Sequence, residues 1–329
     1  MNASLNRGAI ATMRLGFGLS KLMRSPHRND RRHLLEVAFD HGIRHFDVAR
    51  MYGLGVAEKE LGEFIRSKRD KVIVATKFGI EPQGVVGYAA HLQSPVRWLF
   101  KRFPGMRAMA ARSAQQPYRP KEFTPGSART SLETSLRMLG SDYVDMFFLH
   151  EPNGEDRISD DLCQCLEDLK TQGKIKAYGI SSLARDVMSV ATEHPALASI
   201  IQFDNDAAAR QIDALELPGH ANILTFAPLS SALPAIEELC SCSPALIKAI
   251  AEETGIDLRY RDQCVRFLLS YALHANPRGT VVFASTSASH IAEITSCAND
   301  MLLEQGAVIA ALEKLSFPSV GPAVVAGRS

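Results

Sequence analysis

The chain has 329 residues, a net charge of +1, 46% hydrophobic residues and 22% charged residues. Such a balance supports one large core or two domains, and a charge this close to zero gives no global attraction to nucleic acid or to an anionic membrane surface. The opening stretch MNASLNRGAIATMRLGFG has no sustained apolar region and no apolar run is long enough to span a bilayer, so the cytoplasm is the expected compartment.

Strand-like and helix-like segments alternate from the start. RLGFG, from Arg14, reads as a first strand. Asp30 is placed to cap a helix whose face carries Leu34, Val37 and Ala38, with Gly42 as its stop. IRHFD follows as a second strand, Leu61, Phe64 and Ile65 mark the next helix, and VIVAT is a nearly continuous β-branched third strand. Such runs suit parallel strands buried on both faces. Leu132, Leu136 and Leu139 then share a helix face up to Gly140 and lead into YVDMFFL. Leu162, Leu166 and Leu169 repeat the pattern up to Gly173 and lead into IKAYGI. SIIQF, NILTFA and GTVVFA bring the count to eight strands. The alternation predicts an α/β chain, a (β/α)8 TIM barrel in a single domain over 1–329. No G-x-G-x-x-G follows an early strand, which argues against a doubly wound dinucleotide-binding sheet.

One region breaks the rhythm, at about 80–122. It holds the single tryptophan, Trp98, with Arg97, Lys101, Arg102, Arg107, Arg112, Arg119 and Lys121. A connection this long in a compact barrel is a functional loop, a lid or a disordered excursion, or else a solvated or dimer-facing flap. Because it follows a strand's C-terminal end, it is expected to project over the active-site face. The tail at about 317–329, rich in small residues, is expected to be disordered or to reach the cleft.

The six cysteines do not form a disulfide framework in a chain of this length. Cys163/Cys165 and Cys240/Cys242 have C-x-C rather than C-x2-C spacing and no histidine cluster follows, so ordinary reduced cysteines and no metal are expected.

Four residues fall where strands of the barrel should end. Asp47 closes the second strand, Tyr52 lies in the loop just after it, Lys77 ends the third and His150 ends the fourth. All four should converge on the C-terminal face. An unperturbed tyrosine has a pKa of about 10 and needs a nearby cation to ionise easily. A phenol with a cation, a carboxylate and an imidazole beside it suits carbonyl reduction, in which a proton must meet the oxygen as a hydride meets the carbon. Singly, Asp47 reads as a cap, Lys77 as a surface charge and His150 as a structural histidine; together, at three successive strand ends, they read as catalytic.

These segments are similar to those of the aldo-keto reductases, in particular bacterial-type members with a long insertion after the third barrel strand. FDVARMYG with Gly55, Glu58 and Gly62 resembles the family's Asp-Tyr motif, ATKFG its lysine strand, LGSDYVDMFFLHEP its histidine strand, and KIKAYGISS the strand that holds the nicotinamide amide. The resemblance runs from about Arg14 to about Leu315. It implies NAD(P)H-dependent reduction of a small aldehyde or ketone, or the reverse oxidation, with Tyr52 as general acid. Lys77, hydrogen-bonded to Tyr52 and paired with Asp47, would lower the phenol pKa, and His150 would orient the carbonyl. Ser181, Ser182 and Gln202 would meet the carboxamide, Phe226 would stack on the nicotinamide, and Leu229 and Ser231 would follow the pyrophosphate. Ser285, Thr286, His290 and Glu293 would line the adenosine end.

Departures from the pattern bear on the cofactor. Ser182 stands where the family has asparagine. Ala284 and His290 stand where it commonly offers basic residues to a 2′-phosphate, and Ile294 replaces an asparagine that reads adenine. A neutral imidazole does not replace a bidentate guanidinium. NADP, by the family's habit, or NAD, by the missing clamp, is the expected cofactor. The alternative is a cofactor-binding regulatory or partner subunit of the same fold with little turnover. The basic insertion invites an anionic or sugar-derived carbonyl substrate.

Overall fold

In the computed structural model, which describes residues 14–83, 118–216, 219, 221–300, 302–315 and 317, every predicted strand is present. The strands are β1 (Leu15–Gly18), β2 (His45–Asp47), β3 (Ile73–Phe78), β4 (Val144–His150), β5 (Ile175–Ser181), β6 (Ile200–Asp204), β7 (Asn222–Phe226) and β8 (Thr280–Phe283). They pair in parallel in chain order, and β8 returns to β1 through Leu15 opposite Val281, closing the (β/α)8 barrel.

Alternation along each strand sorts the side chains. Phe46, Val74, Phe147, Leu149, Ile201 and Phe203 face outward into a core shared with Leu34, Leu61 and Leu132 of the surrounding helices. Ala75, Phe148, Ile200 and Leu224 pack with Met146 and Ala177 as a separate apolar plug. Full burial of each large apolar side chain is worth roughly 1.5–3 kcal/mol. With the interior filled in this way, inward polar residues gather at the C-terminal strand ends.

The helix ends are set by local signals. Arg28–Asp40 is capped at His27, not Asp30; Asp30 lies in the first turn, where its carboxylate favours the positive end of the helix dipole. Pro125–Leu139 starts with a capping box: Thr124 and Ser127 bond each other's backbone reciprocally. It stops at Gly140, whose φ of 59° suits glycine at a left-handed C-cap. Beyond β7, Ala232–Cys242, Pro244–Thr254, Arg261–Ala275 and Gln305–Lys314 build a second apolar cluster through Ile236, Ile247, Leu268 and Leu312.

The insertion from 84 to 117 lies outside the described residues, and with it Trp98, Arg97, Lys101, Arg102, Arg107 and Arg112; so does the tail from 318. The base of the insertion is described. Pro82 and Tyr118 pair in antiparallel fashion, Arg119 N–H donates to Glu81 O at 2.9 Å, and Glu122 N–H donates to Gly79 O at 3.1 Å. The chain therefore leaves β3 and returns through one short ladder. On the helix Leu162–Thr171, Cys163 is half-buried and Cys165 buried, so the two thiols sit in different surroundings. Among the described residues no helix is long and apolar enough to cross a membrane, and no cluster of three metal-ligating side chains is present.

Candidate active site

The barrel mouth is polar because one side chain after another is paired with a neighbour on a different strand. Lys77, at the end of β3, forms an ion pair with Asp47 at the end of β2, and its ammonium also donates to Val48 O at 3.3 Å. Gln202 Nε2 donates to the other Asp47 oxygen at 2.8 Å, and Ser181 Oγ donates to Gln202 Oε1 at 2.6 Å. Lys77 and Asp47 are only 2% and 4% exposed. Removing such charges from water costs several kcal/mol per ion unless each is paired and hydrogen-bonded. Both are.

Tyr52 enters on a tight left-handed turn. Gly53, Leu54 and Gly55 have φ of 57°, 56° and 86°. For Leu54 that conformation costs roughly 1–2 kcal/mol. The half-buried Tyr52 ring meets His150 edge-on, with centroids 5.9 Å apart and planes at 83°. Lys77 Nζ lies 5.5 Å from the Tyr52 ring centroid, within cation–π range.

Here the structure corrects an expectation. Lys77 does not hydrogen-bond the phenol; its ammonium is satisfied by Asp47 and Val48 O. The Tyr52 pKa is accordingly not lowered but raised well above its ordinary value, by burial first and then by the Asp47 and Glu151 carboxylates. His150 moves the other way. Burial, then the Lys77 and Lys121 charges, hold its pKa well below the usual imidazole value. The resting pair is a protonated phenol beside a neutral imidazole. His150 Nδ1 is buried with no hydrogen-bond partner among the described residues.

The remaining sequence-selected residues divide into two groups. Near the mouth, Ser182 Oγ donates to Pro152 O at 2.7 Å and its N–H to Gln202 O at 3.0 Å. Phe226 is half-buried at the end of β7, and Leu229 packs between the two apolar clusters. Ser231 hydrogen-bonds Asp206 through its hydroxyl and its N–H, and Asp206 also accepts from the N–H groups of Ala208 and Ala209. The second group follows β8 and is local. Ser287 N–H donates to Ser285 Oγ at 3.1 Å, and His290 N–H to Ser287 Oγ at 3.4 Å. Thr286 and His290 are exposed and Glu293 half-buried. Ile294 is buried in the main core, where it packs.

A buried serine–glutamine pair, with a half-buried phenyl ring at the end of the next strand, offers a donor, an acceptor and a π-face suited to a flat carboxamide-bearing ring. The stretch from Ala284 to Ile294 offers hydroxyls and one imidazole, with no lysine or arginine.

Sequence reasoning missed the supports of this site. Arg50 Nη1 donates to Glu58 Oε2 at 2.6 Å and Thr76 Oγ1 donates to Glu58 Oε1 at 2.8 Å. Arg50 Nε also reaches Glu81 at 3.2 Å. The G-x-x-E spacing singled out Glu58, whereas nothing local pointed to Glu81, Tyr118 or Asp206.

A sequence profile of the Aldo/keto reductase family matches residues 14–212, and the chain belongs to that family. It is 29% identical over 230 residues to D-threo-aldose 1-dehydrogenase of a Pseudomonas species, a match covering 65% of this chain and 62% of the relative. A probable aldo-keto reductase 1 of Glycine max is 28% identical over 58% of this chain and 47% of its own length. The chain thus spans about half to six-tenths of these curated relatives. Among solved structures, an aldo-keto reductase from Bacillus halodurans in its holo form superimposes with a TM-score of 0.67 at 19% identity, covering 96% of this chain and 95% of the other. One from Klebsiella pneumoniae in complex with NADPH gives 0.63 at 20% identity, covering 94% and 93%. At these identities the likeness is one of fold.

Proposed function

We propose that this chain reduces an aldehyde or ketone to the alcohol, and runs the reverse oxidation, with Tyr52 as the proton donor. The observation that carries this reading is the closure of Asp47, Lys77, Tyr52 and His150 around one buried ion pair at the barrel mouth. Ser181 and Gln202 would hold a nicotinamide carboxamide, with Phe226 against the ring. Leu229 and Ser231 would follow the pyrophosphate, and Ser285, Thr286, His290 and Glu293 the adenosine. When bound there, the dinucleotide would supply the hydride.

The protein's part is to hold and deliver a proton. The Tyr52 phenol is protonated at neutral pH and so has a proton to give, but burial and the nearby carboxylates make it a weaker acid in the resting site, so its ionisation must be helped during the reaction. The neutral His150 imidazole can orient the carbonyl oxygen without adding a second cation beside Lys77. As the phenol releases its proton, the Lys77 charge over its ring opposes the cost of the developing anion. Asp47 keeps Lys77 in place, and Gln202 keeps Asp47 in place.

The test is Tyr52→Phe. The variant should bind dinucleotide as the parent does and lose reduction; near-normal turnover would overturn the assignment. A protein that binds dinucleotide but leaves it unoxidised across a broad carbonyl panel would instead be a regulatory subunit. The Klebsiella neighbour holds NADPH, which supports NADP, whereas the stretch from Ala284 to Ile294 favours NAD. The ratio of kcat/KM for NADH and NADPH decides between them, and a strong NADPH preference would set aside the missing clamp. The aldose dehydrogenase relative supports a sugar-derived substrate, so aldoses belong first on the panel.

A further inference from the structure

We propose that the short ladder at the base of the insertion, residues 79–82 and 118–122, is a positioning element that fastens the Tyr52 loop and the loop after His150 to each other. The proposal rests on the reading of Tyr52 and His150 given above. It concerns what sets their spacing, not whether they react.

The outgoing limb holds the Tyr52 loop through Glu81. One Glu81 oxygen accepts Arg50 Nε at 3.2 Å, and the other accepts Ser131 Oγ at 2.5 Å. Arg50 stands two residues before Tyr52 and is 7% exposed. Its other contact, the fully buried Glu58, also accepts from Thr76, the residue before Lys77. The return limb holds the same loop through Tyr118, whose hydroxyl donates at 3.2 Å to the carbonyl of Met51, directly before Tyr52.

Three residues along the return limb, Lys121 turns to the other loop. Its ammonium donates at 2.9 Å to the carbonyl of Glu151 and at 2.5 Å to Asp156 Oδ2. Glu151 directly follows His150 and has a φ of 52°, a left-handed conformation that an ordinary side chain adopts only when the surroundings impose it. The surroundings do so at both ends of the residue. Its N–H donates to Ser181 O at 2.7 Å, and its carbonyl takes the Lys121 ammonium.

A ladder that served only to close the insertion would need no more than its own backbone bonds. Instead Glu81, Tyr118 and Lys121 reach residues one or two positions from Tyr52 and His150. The edge-on contact of the two rings is therefore spanned twice, once by β2 through β4 and once by the ladder. A misplacement of about 1 Å at reacting groups can cost on the order of a hundredfold in rate. A second span that limits such drift is a mechanical contribution to turnover.

Two substitutions in the full-length chain test this, Tyr118→Phe and Lys121→Met, with Lys121→Arg as the conservative control. Amide hydrogen exchange is followed over 49–55 and 150–156 without substrate, and carbonyl reduction is followed in parallel. Loss of the Lys121 bonds should speed exchange in 150–156 about tenfold. Tyr118→Phe should speed exchange in 49–55 by a few-fold, since it removes the neutral hydrogen bond to the Met51 carbonyl. In both, kcat should fall about tenfold while the carbonyl KM and the dinucleotide Kd stay within about twofold, and Lys121→Arg should restore kcat and protection. Parental exchange rates in both segments would overturn the proposal. So would a raised KM at unchanged kcat, which would make Lys121 a substrate contact. If the parent reduces no carbonyl, the exchange measurements still decide the ladder's role while the catalytic reading alone fails. If Lys121→Met does not fold, Tyr118→Phe, which loses one oxygen, carries the test.

Discussion

The two ends of the site are built differently. At the strand ends, Ser181, Gln202, Asp47 and Lys77 form an unbroken chain of buried contacts between residues 21, 155 and 30 positions apart. After β8, the hydrogen bonds of Ser285, Ser287 and His290 run to neighbours two to four positions away, and His290 and Thr286 are exposed. The first arrangement exists only when the barrel is closed, so a change in one member leaves another buried and unpaired. The second is a local turn whose members can be exchanged singly. Chemistry should be brittle and cofactor choice plastic.

The largest expected effect is on the brittle end. Tyr52→Phe should lower kcat by at least 10²–10⁴-fold, the usual worth of general acid catalysis, with dinucleotide affinity unchanged by fluorescence titration. Asp47→Asn comes next. It leaves Lys77 buried without its counter-charge, so stability should fall by about 3–5 kcal/mol in a denaturant titration. A loss below about 1 kcal/mol, the worth of an exposed pair, would mean that the mouth is wetter than its burial implies.

A smaller effect is expected at the plastic end. His290→Arg should raise the NADPH-to-NADH ratio of kcat/KM by about tenfold, as one added charge-assisted bond would, and leave the melting temperature unchanged. Coupled loss of stability would erase the contrast between the two ends. The mildest expectation concerns pH. His45 and His150 are both buried with pKa values held below the ordinary 6.5. Below about pH 6.5 the unfolded chain therefore takes up protons that the folded chain refuses, and stability declines as pH falls. His150→Asn should flatten the melting-temperature profile between pH 7 and 5; an unchanged slope would assign the decline to other groups.

The barrel was legible because its signals are local. Leu132, Leu136 and Leu139 announce a helix, and VIVAT a buried strand, without reference to any distant residue. The four mouth residues were legible as chemical types at strand ends. What Lys77 would bond was not, because only barrel closure decides that Asp47 satisfies the ammonium and that burial then pushes the Tyr52 phenol up instead of down. Glu81 illustrates the same limit. Its partners Arg50 and Ser131 lie 31 and 50 positions away, and no spacing rule joins them. The Asp30 expectation failed for a smaller reason, since a carboxylate serves a helix N-terminus from the first turn as well as from the cap.

The paired limbs at 79–82 and 118–122 also bear on how such a chain can diversify. Because the backbone at 118 re-enters beside the point where it departs at 82, the barrel's closure does not depend on how many residues lie between them. Doubling the length of a connection changes closure entropy by only about 0.6 kcal/mol. The ladder is thus a port at which sequence can be traded without rebuilding the scaffold, and shortening it to a tight hairpin between 82 and 118 should still yield a folded protein.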